Sequence, residues 1–342
     1  MSPPAVNPSE IDVVVQGAVA GRPGDPPHQR LTEQCLANFR RILPGARLIL
    51  STWEGADVSG LDFDELVTSA DPGGQTYLTR GGRKRALNMN RQIVSTRAGL
   101  QAASRPLALK FRTDVTLSHG GFLDYWGRHP VRAERWKVLG ERVLVPGHFS
   151  PSPYRMARQG FVLSDWATFG RLEDVRRVWS LPLVPDEDMD YYERHPERAH
   201  PLEGARTRYA PEQYLWLHLL RSHHKMPCEH QWDFGPHNVE AHQLLLANNT
   251  VVLEPARFGL RFRKYSVGLL NKLCMYSYPE WLGLYRAYCD PRAEGDDRPL
   301  RVGLQTALAN WIERHPTVHR QLERVDYHWA KWTAQWAKKG WW

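Results

Sequence analysis

The sequence lacks the features that would place it in a membrane, a disulfide-linked class or a zinc-binding class. No uninterrupted apolar run approaches the ~18 residues that a membrane-spanning helix needs, which excludes an integral membrane protein. There are only four cysteines and no Cys-x-x-Cys pair, so neither a zinc ribbon nor a disulfide framework is predicted. Residues 1–4 lack the basic-then-apolar pattern of a signal peptide. We therefore expect a cytoplasmic protein with reduced thiols.

Several catalytic signatures are also missing. The absence of Gly-x-Gly-x-x-Gly and of Gly-x-x-x-x-Gly-Lys-[Ser/Thr] disfavours a dinucleotide dehydrogenase and a phosphate-loop ATPase. The Gly-x-Ser-x-Gly turn of α/β-hydrolases and the His-Glu-x-x-His zinc motif are absent too. Histidines gather around Cys228, but their spacing fits no zinc template, so we expect no metal site there. They are His223, His224, His230, His237 and His242.

The chain has an ordinary globular balance with a basic excess. Its 342 residues are 42% hydrophobic and 24% charged, enough for one large domain or two smaller ones with a core. Lys and Arg total 45 against 37 Asp and Glu, a net charge of +8. This excess predicts an anionic partner, which could be nucleic acid, a phosphate-bearing small molecule or an acidic membrane surface.

The first 145 residues alternate between strand and helix patterns, which predicts an α/β domain with a mostly parallel sheet. Strands are predicted at 11–15, 47–53 and 106–112, and helices at 31–42 and after Asn88, which we expect to cap the second helix. Periodicity predicts that this second helix buries one face and points Arg91 and Ser95 away from the core. The buried face is Met89, Ile93, Thr96 and Leu100.

The second half of the chain is less regular. Short strands are predicted at 137–139, 142–145 and 161–166, and a loop at 182–200. Pro211 is expected to open a helix, and residues 304–312 and 325–339 to form terminal helices. We divide the chain into a domain over 1–245 and a mainly helical extension over 246–342.

The end of the third strand, Lys110-Phe111-Arg112-Thr113-Asp114, is the first candidate for chemistry. In open α/β sheets, ligands bind outside the carboxyl ends of the strands. Asp114 could hold a divalent cation between two phosphates, and Lys110 or Arg112 could neutralise phosphate charge. An ion-paired strand end is the alternative interpretation.

Two further candidates follow the same logic. The first strand ends at Gln16-Gly17, where a glycine lets backbone N–H groups approach a ligand; a plain tight turn is the alternative. Asp165 and Glu212 each lie at the end of a predicted element beside an aromatic residue, and either could be a general base. The helix dipole should lower the pKa of Glu212 unless burial raises it. A backbone hydrogen bond for Asp165 and helix capping for Glu212 are the alternatives.

The C-terminal tail is rich in tryptophan and lysine. On a helix, Val325, Trp329, Trp332 and Trp336 share one face, and Lys331 and Lys338 flank it. Because Trp prefers the headgroup boundary and Lys is attracted to anionic lipid, residues 325–342 predict a membrane-surface helix. Packing of the tryptophans on the protein's own core or on a second subunit is the alternative. A basic, aromatic stretch at 257–265 suits single-stranded nucleic acid, an anionic glycan or a nucleotide.

Taken together, several segments resemble the WavE lipopolysaccharide synthesis family over roughly residues 10–220. They are Ile11-Asp12-Val13-Val14-Val15-Gln16-Gly17, Leu43-Pro44-Gly45-Ala46, Ile49-Leu50-Ser51-Thr52-Trp53-Glu54-Gly55, Asp71-Pro72-Gly73, Asn90-Arg91-Gln92-Ile93-Val94-Ser95-Thr96, Leu109-Lys110-Phe111-Arg112-Thr113-Asp114, Ser164-Asp165-Trp166 and Glu212-Gln213-Tyr214. The resemblance implies a GT-A-like, Rossmann-type sheet flanked by helices. It also implies a glycosyltransferase that moves a sugar from a nucleotide-sugar to a lipid-linked or core oligosaccharide in bacterial surface-polysaccharide assembly.

The resemblance also implies roles for individual residues. Gln16, Gly17 and Trp53 would line the nucleotide pocket, and Asn90 and Arg91 would flank the donor. Asp114 stands where such folds place an Asp-x-Asp motif that holds Mn²⁺ or Mg²⁺. Here that motif reads Arg112-Thr113-Asp114, with one acid, so Arg112 could neutralise the diphosphate in place of a metal. Asp165 or Glu212 would be the base on the acceptor side.

The expected partners are a nucleotide-sugar, an oligosaccharide acceptor and the inner face of the cytoplasmic membrane, with no nucleic acid. Two other functions stay open. One is a nucleotidyltransferase of similar fold, which would normally need two metal-holding acids. The other is a non-catalytic protein that binds a glycan or a nucleotide.

Overall fold

A computed structural model describes residues 5–22, 24–78, 84–155, 159–199, 206–262, 268–295 and 298–338. Two predicted features lie partly outside these residues. They are the end of the basic, aromatic stretch at 263–265 and the end of the tryptophan-rich tail at 339–342.

A seven-stranded sheet forms the centre of the protein. The strands of the described residues are β1 (Ile11–Gln16), β2 (Arg47–Trp53), β3 (Glu65–Ser69), β4 (Gln75–Leu78), β5 (Lys84–Leu87), β6 (Leu107–Arg112), β7 (Val115–Leu117), β8 (Val143–Pro146), β9 (Ala167–Arg171), β10 (Thr250–Leu253) and β11 (Leu260–Phe262). The large sheet has the order β10-β8-β9-β6-β1-β2-β3, and β11 pairs with β7 and β4 with β5. Only β9 runs antiparallel to its neighbours in the large sheet, among the strands described. The predicted α/β class is therefore confirmed.

Helices cover the sheet and continue into a helical C-terminal region. They are α1 (Leu31–Ile42), α2 (Met89–Ala102), α3 (Leu172–Val178), α4 (Asp186–Met189), α5 (Tyr191–Arg194), α6 (Pro211–Arg221), α7 (Pro236–Asn249), α8 (Pro255–Phe258), α9 (Leu269–Cys274), α10 (Tyr278–Tyr288), α11 (Pro299–Glu313) and α12 (Pro316–Lys338). Within the described part of the chain, none of these helices combines the length and the apolar character needed to cross a bilayer.

The central strands are buried on both faces because helices pack on each side. All six residues of β1 are buried, as a parallel strand between two helical layers requires. Helix α1 presents Cys35, Leu36 and Phe39 to the sheet, and Phe39 meets Phe111 of β6 edge to face at 5.0 Å. The predicted α1, β2 and β6 agree with the structure because each has a strong local pattern.

Helix α2 corrects two predictions. Its predicted inner face is buried, but Ser95 is fully buried as well rather than pointing away. The Ser95 hydroxyl donates to Gln16 Oε1 at 2.6 Å, so a hydrogen bond to β1 satisfies this side chain inside the core. Asn88 takes the N-cap position, but its side chain makes no capping hydrogen bond.

The predicted strands at 137–139 and 161–166 are wrong. The N–H groups of Val138 and Leu139 both donate to Asn249 Oδ1, and the N–H of Phe161 donates to His242 Nδ1. These backbone groups are paired with side chains, so they do not take part in a sheet ladder. Phe161 also has a φ of 61°, which is incompatible with an extended strand. The predicted loop at 182–200 contains the short helices α4 and α5.

The sheet continues past the predicted boundary at residue 245. Helix α7 spans this position, and β10, which follows it, is the edge strand beside β8. Trp281 and Tyr285 of α10 belong to the same hydrophobic core as β1. The seven strands therefore include residues from both predicted units.

Candidate functional site

The carboxyl ends of β1 and β6 meet at the centre of the sheet. Gln16 of β1 lies opposite Arg112 of β6, and the N–H of Thr113 donates to the Gln16 carbonyl at 3.1 Å. The chain places β2 on one side of β1 and β6 on the other, so the strand order reverses between β1 and β6. Such a reversal opens a crevice, and it is the usual ligand position in open α/β sheets.

Gly17 and Thr113 close the floor of this crevice. Gly17 has a φ of 122°, and a Cβ there would lie 3.1 Å from Thr113 Oγ1. Thr113 Oγ1 itself donates to the carbonyl of Ala18 at 2.7 Å. The two strand ends are therefore in close contact, and the backbone conformation of Gly17 favours glycine.

Arg112 and Asp114 form a bidentate ion pair at the end of β6. Arg112 Nε donates to Asp114 Oδ1 at 2.9 Å, and Arg112 Nη2 to Asp114 Oδ2 at 2.8 Å. The guanidinium lies 5.1 Å from the centre of the Trp166 ring. Burial lowers the pKa of Arg112, but Asp114, Asp165 and Glu212 outweigh burial and raise it. Arg112 is thus a fixed cation that pairs with Asp114 and lies within electrostatic range of the acidic side chains of Asp165 and Glu212.

Lys110 is a fully buried amine in the same strand. Its Nζ donates to the backbone carbonyl of Asp165 and lies 4.3 Å from the centre of the Trp179 ring. Burial lowers the pKa of Lys110 to about 7, with a further lowering by Arg112, while Asp165 and Asp114 oppose the shift. Near neutral pH this amine is therefore divided between charged and neutral forms.

Glu212 lies in the first turn of α6, next to Asp165. Burial raises the pKa of Glu212 to about 8, the negative charge of Asp165 adds to the rise, and Arg112 opposes it. The helix dipole was expected to lower this pKa unless burial raised it, and burial raises it. Glu212 holds a proton at neutral pH and can release it in the range where general bases work.

Asp165 is buried, with 5% of its surface exposed, whereas Glu212 is partly buried. Its Oδ1 is buried without a hydrogen-bond partner among the described residues. A gap of about 10 Å³, enough for one water molecule, lies beside it against Gln92, Trp179 and Pro211. Buried polar atoms usually have partners, so an unpaired carboxylate oxygen here is typical of a site that another molecule completes.

A larger cavity of about 210 Å³ lies on the other side of β1. Its walls come from the loop after β1, the start of α1 and the loop after β2, and they include Arg22, Arg30 and Asp57. Val19, two residues past Gly17 in the sequence, is among its lining residues. The described residues thus offer both an ionisable cluster at the ends of the strands and a separate space for a ligand.

Comparison with known families identifies the chain. The family model described as WavE lipopolysaccharide synthesis matches residues 11–307. The chain belongs to the WavE family. A role in lipopolysaccharide synthesis follows from this membership, and the match runs across the predicted boundary at residue 245. None of the curated proteins compared with the chain matches it.

In this WavE protein, the structure brings most of the predicted site residues together at the ends of β1 and β6. They are Gln16, Gly17, Lys110, Arg112, Thr113, Asp114, Asp165 and Glu212. The other predicted residues do not reach the cluster through any contact described. Asn90 clamps the backbone of Val184, accepting from its N–H at 2.7 Å and donating to its carbonyl at 3.2 Å. Arg91 forms a bidentate pair with Asp71, with both distances 2.7 Å. Trp53 is half-buried at the end of β2. Their predicted roles at the donor stay predictions.

Some residues of the site were not singled out from the sequence. Ser95 holds the Gln16 side chain, Gln92 donates to the Asp165 carbonyl at 3.2 Å, and Trp179 covers Lys110. All three reach the site through contacts between segments far apart in the chain. No local sequence pattern signals such contacts, although Gln92 and Ser95 do lie in a segment that resembles the WavE family.

The described residues contain no group of three His, Cys, Asp or Glu side chains placed to hold a metal ion. At the predicted metal position, both oxygens of Asp114 accept hydrogen bonds from Arg112. Of the histidines grouped with Cys228 in the sequence, His242 is fully buried; its Nδ1 accepts from the Phe161 N–H, and its Nε2 lies 3.0 Å from the Tyr276 hydroxyl. This histidine has a structural role.

Proposed function

We propose that this WavE protein is a glycosyltransferase that moves a sugar from a nucleotide-sugar to a lipid-linked or core oligosaccharide. The observation that carries the proposal is the cluster of Arg112, Asp165 and Glu212 at the reversal point of the sheet. It combines a fixed cation with an acid–base group whose pKa lies near 8. Sugar transfer needs both of these elements, one for the leaving phosphate and one for the acceptor hydroxyl.

In this proposal the nucleotide occupies the cavity of about 210 Å³ at the loop after β1. Two arginines, Arg22 and Arg30, and two carboxylates, Glu33 and Asp57, line this cavity, and Arg30 is ion-paired with Glu33. In the proposed complex, Arg22 is the cation nearest a phosphate, and Asp57 accepts from a base or ribose group. The diphosphate would then cross Gly17, where the absence of a side chain allows backbone N–H groups to approach phosphate oxygens. The sugar would lie over the ends of β1 and β6.

In the proposed reaction, the bond between the sugar anomeric carbon and the phosphate oxygen breaks, and the electron pair leaves with the nucleoside diphosphate. Arg112 stabilises the negative charge that develops there, because its guanidinium is already oriented by Asp114. An oxygen of the acceptor hydroxyl forms the new bond to the anomeric carbon. Its proton passes to the carboxylate of Glu212 or Asp165.

The donor set does not fit a divalent cation in this arrangement, because Arg112 occupies both oxygens of the carboxylate of Asp114. Our proposal therefore gives Arg112 the role of neutralising the diphosphate. Metal binding by Asp114 stays a prediction, and comparing nucleotide binding with Mn²⁺ and with EDTA tests it. A requirement for Mn²⁺ would mean that Asp114 exchanges Arg112 for the cation.

The direct test is a thermal-shift panel of UDP-, GDP-, ADP-, CMP- and dTDP-linked sugars, followed by donor hydrolysis assays. A bound ligand raises the melting temperature because it binds only the native state. The donor that binds should be hydrolysed slowly by the wild type and at least tenfold more slowly by Asp165→Asn or Glu212→Gln. Glu173→Gln, an exposed first-turn glutamate of α3, is the matched control and should keep the wild-type rate. If none of these donors raises the melting temperature, the proposal is wrong.

We also propose that the tail binds an anionic membrane surface. Trp329 and Trp332 are each 43% exposed, Val325 is 61% exposed, and the Trp329 and Trp332 ring centres lie 5.3 Å apart. Leu322 packs on the small core formed with α9 and α11, so α12 is attached to the protein while these rings stay partly open to solvent. Exposed Lys331 beside them favours anionic lipid.

Flotation with anionic and with zwitterionic vesicles tests this part of the proposal. Trp329→Ser/Trp332→Ser should abolish binding to anionic vesicles, because Trp side chains anchor a helix at the headgroup boundary. The control is Val131→Ser/Leu183→Ser, which removes apolar side chains of similar exposure (44% and 41%) elsewhere on the surface. Equal flotation of both variants would contradict membrane binding through these tryptophans. A molecular mass of the tryptophan variant half that of the wild type, measured by light scattering, would also contradict it, because it would assign the tryptophans to a dimer contact.

A further inference from the structure

A second cavity lies on the same edge of the sheet as the candidate site. Strands β8 and β10 are parallel to each other, and β8 is antiparallel to β9, which is antiparallel to β6. The ends of β8 and β10 therefore point the same way as the ends of β6 and β1. Beyond them, His148, Glu254, Tyr276 and Arg301 line a cavity of about 160 Å³, with room for roughly ten water molecules.

The floor of this cavity is built by close backbone contacts. The N–H of Gly147 donates to the Leu253 carbonyl at 2.6 Å, and the N–H of Tyr276 donates to the Ser150 carbonyl at 2.8 Å. A Cβ at Gly147 would lie 2.4 Å from the Tyr276 carbonyl oxygen. Only glycine fits there, so the loops after β8 and β10 are fixed against the segment before α10.

Its opposite wall, α11, is held by a buried arginine. The Arg155 side chain is fully buried and pairs with Glu280 at 2.7 Å. Its Nε also donates to Thr306 Oγ1 of α11 at 3.0 Å, and its Nη1 donates to the Met275 carbonyl at 3.0 Å. One guanidinium therefore ties α11 to the segment before α10, which gives the cavity a defined shape.

The cavity carries an excess of positive charge. Lys272, Arg298 and Arg301 line it, against one carboxylate, Glu254. Glu254 is itself paired with Arg257, with an N–O distance of 3.1 Å. Among the described residues, no ion pair is formed by Lys272 or Arg301. Two cations at one cavity without a carboxylate partner favour an anionic ligand.

One buried polar group at this cavity, on His148, lacks a partner in a way that fits the same ligand. His148 is 7% exposed, and its buried Nε2 has no hydrogen-bond partner among the described residues. Burial, with a contribution from Lys272, lowers the pKa of His148 to about 4, so the ring is neutral and one nitrogen can donate. In addition, Arg301 lies in the first turn of α11, where backbone N–H groups have no acceptor within the helix.

We propose that this cavity binds a phosphate group of the acceptor substrate. The assignment to an acceptor rests on the glycosyltransferase function proposed above. The His148 ring centre lies 4.7 Å from that of Trp166, and Trp166 in turn lies 5.1 Å below the Arg112 guanidinium. The phosphate cavity is therefore next to the acid–base cluster, beside β8 and β10, whereas the proposed nucleotide cavity is beside β1 and β2.

Two kinds of acceptor molecule carry such a phosphate group, a lipid and a sugar. Leu300, Leu304 and Leu308 of α11 are 77%, 64% and 47% exposed and recur every four residues, so they form an apolar stripe on the helix that also lines the cavity. Binding is therefore measured with inorganic phosphate, glucose 6-phosphate and farnesyl phosphate. Tightest binding of farnesyl phosphate would assign a lipid carrier, and tightest binding of glucose 6-phosphate a phosphorylated sugar.

The test uses isothermal titration of these three probes into the full chain. Lys272→Gln/Arg301→Gln should weaken binding of every probe at least tenfold. Lys225→Gln/Arg292→Gln removes the same charge from exposed positions that do not line the cavity, and should change affinity less than twofold. His148→Phe keeps a ring against Trp166 but removes the nitrogen atoms, and should weaken binding severalfold.

Two results would overturn the phosphate site, and a third would overturn only its assignment to the acceptor. The first is no binding of any probe to the wild type at millimolar concentration, and the second is equal weakening by the two double variants. The third concerns the acceptor assignment and uses the nucleotide-sugar panel on the same proteins. If no nucleotide-sugar raises the melting temperature but the cavity variant alone loses phosphate binding, the phosphate site stands and the acceptor assignment fails. If the cavity variant shows the wild-type rise in melting temperature with a nucleotide-sugar but binds phosphate more weakly, both the phosphate site and the acceptor assignment are supported.

Discussion

Replacing Glu212 by glutamine tests the electrostatic core of the candidate site. Its pKa is about 8 in the folded protein against 4.5 for an ordinary glutamate, because burial and Asp165 disfavour the charged form. A group whose pKa is raised on folding stabilises the protein below its unfolded pKa and loses that contribution as the pH rises through the folded pKa. The wild type should therefore lose stability relative to Glu212→Gln between pH 5 and pH 9.

The size of this effect follows from the shift. One pKa unit corresponds to about 1.4 kcal/mol, so the free energy of unfolding of Glu212→Gln should gain up to roughly 4 kcal/mol on that of the wild type between pH 5 and pH 9. Urea denaturation at each pH unit, followed by tryptophan fluorescence, measures the difference. Glu173→Gln should run parallel to the wild type. A constant difference between wild type and Glu212→Gln across this range would contradict a raised pKa for Glu212.

The same variant decides which carboxylate is the base. If Glu212 accepts the acceptor proton, kcat/KM of the wild type should rise with pH up to about pH 8, where Glu212 loses its proton. In Glu212→Gln, kcat/KM would then be much lower and would not rise with pH over this range. If kcat/KM of Glu212→Gln still rises with pH as in the wild type, the base is Asp165.

Three further predictions concern the scaffold of the site. Burial lowers the pKa of Lys110 to about 7, so the wild type should lose stability as the pH falls from 10 to 7. The free energy of unfolding of Lys110→Met, measured by urea denaturation, should therefore gain roughly 3–4 kcal/mol on that of the wild type over this range. A difference that does not change with pH would contradict a buried amine. In Gly99→Ala the new Cβ would lie 2.4 Å from Val14 Cγ1, which should cost about 1–3 kcal/mol, whereas Gly303→Ala, open to solvent in α11, should be neutral or stabilising by thermal melting. Arg155→Met leaves the carboxylate of Glu280 buried without its partner and should cost roughly 3–5 kcal/mol in the same assay, part of which Glu280→Gln should restore.

The parts of the fold that were predictable are those with a local cause. Helix α1 begins and ends at the residues expected because its apolar spacing and the Pro44-Gly45 stop lie within one stretch of sequence. The segment at 161–166 is as apolar as a strand, but its backbone pairs with His242 and Ser150, which lie in other segments. Local pattern cannot distinguish these two cases.

The candidate site shows the same division. Placing Asp114 at a strand end, and Glu212 in the first turn of a helix, needed only local sequence. Their meeting around Arg112 depends on β9 running antiparallel beside β6 and on α6 packing against α3, which are properties of the whole chain. The direction of the pKa shift of Glu212 was not predictable from the local sequence either, because burial, which raises this pKa, depends on residues far away in the chain.

The position of β10 has a consequence for how the chain is made. Strand β8 leaves the ribosome long before β10, which must pair with it to complete the sheet. At roughly 5–20 residues per second, β8 presents an open hydrogen-bonding edge for on the order of ten seconds. A fragment that stops at residue 245 would keep this edge open permanently and should self-associate through it.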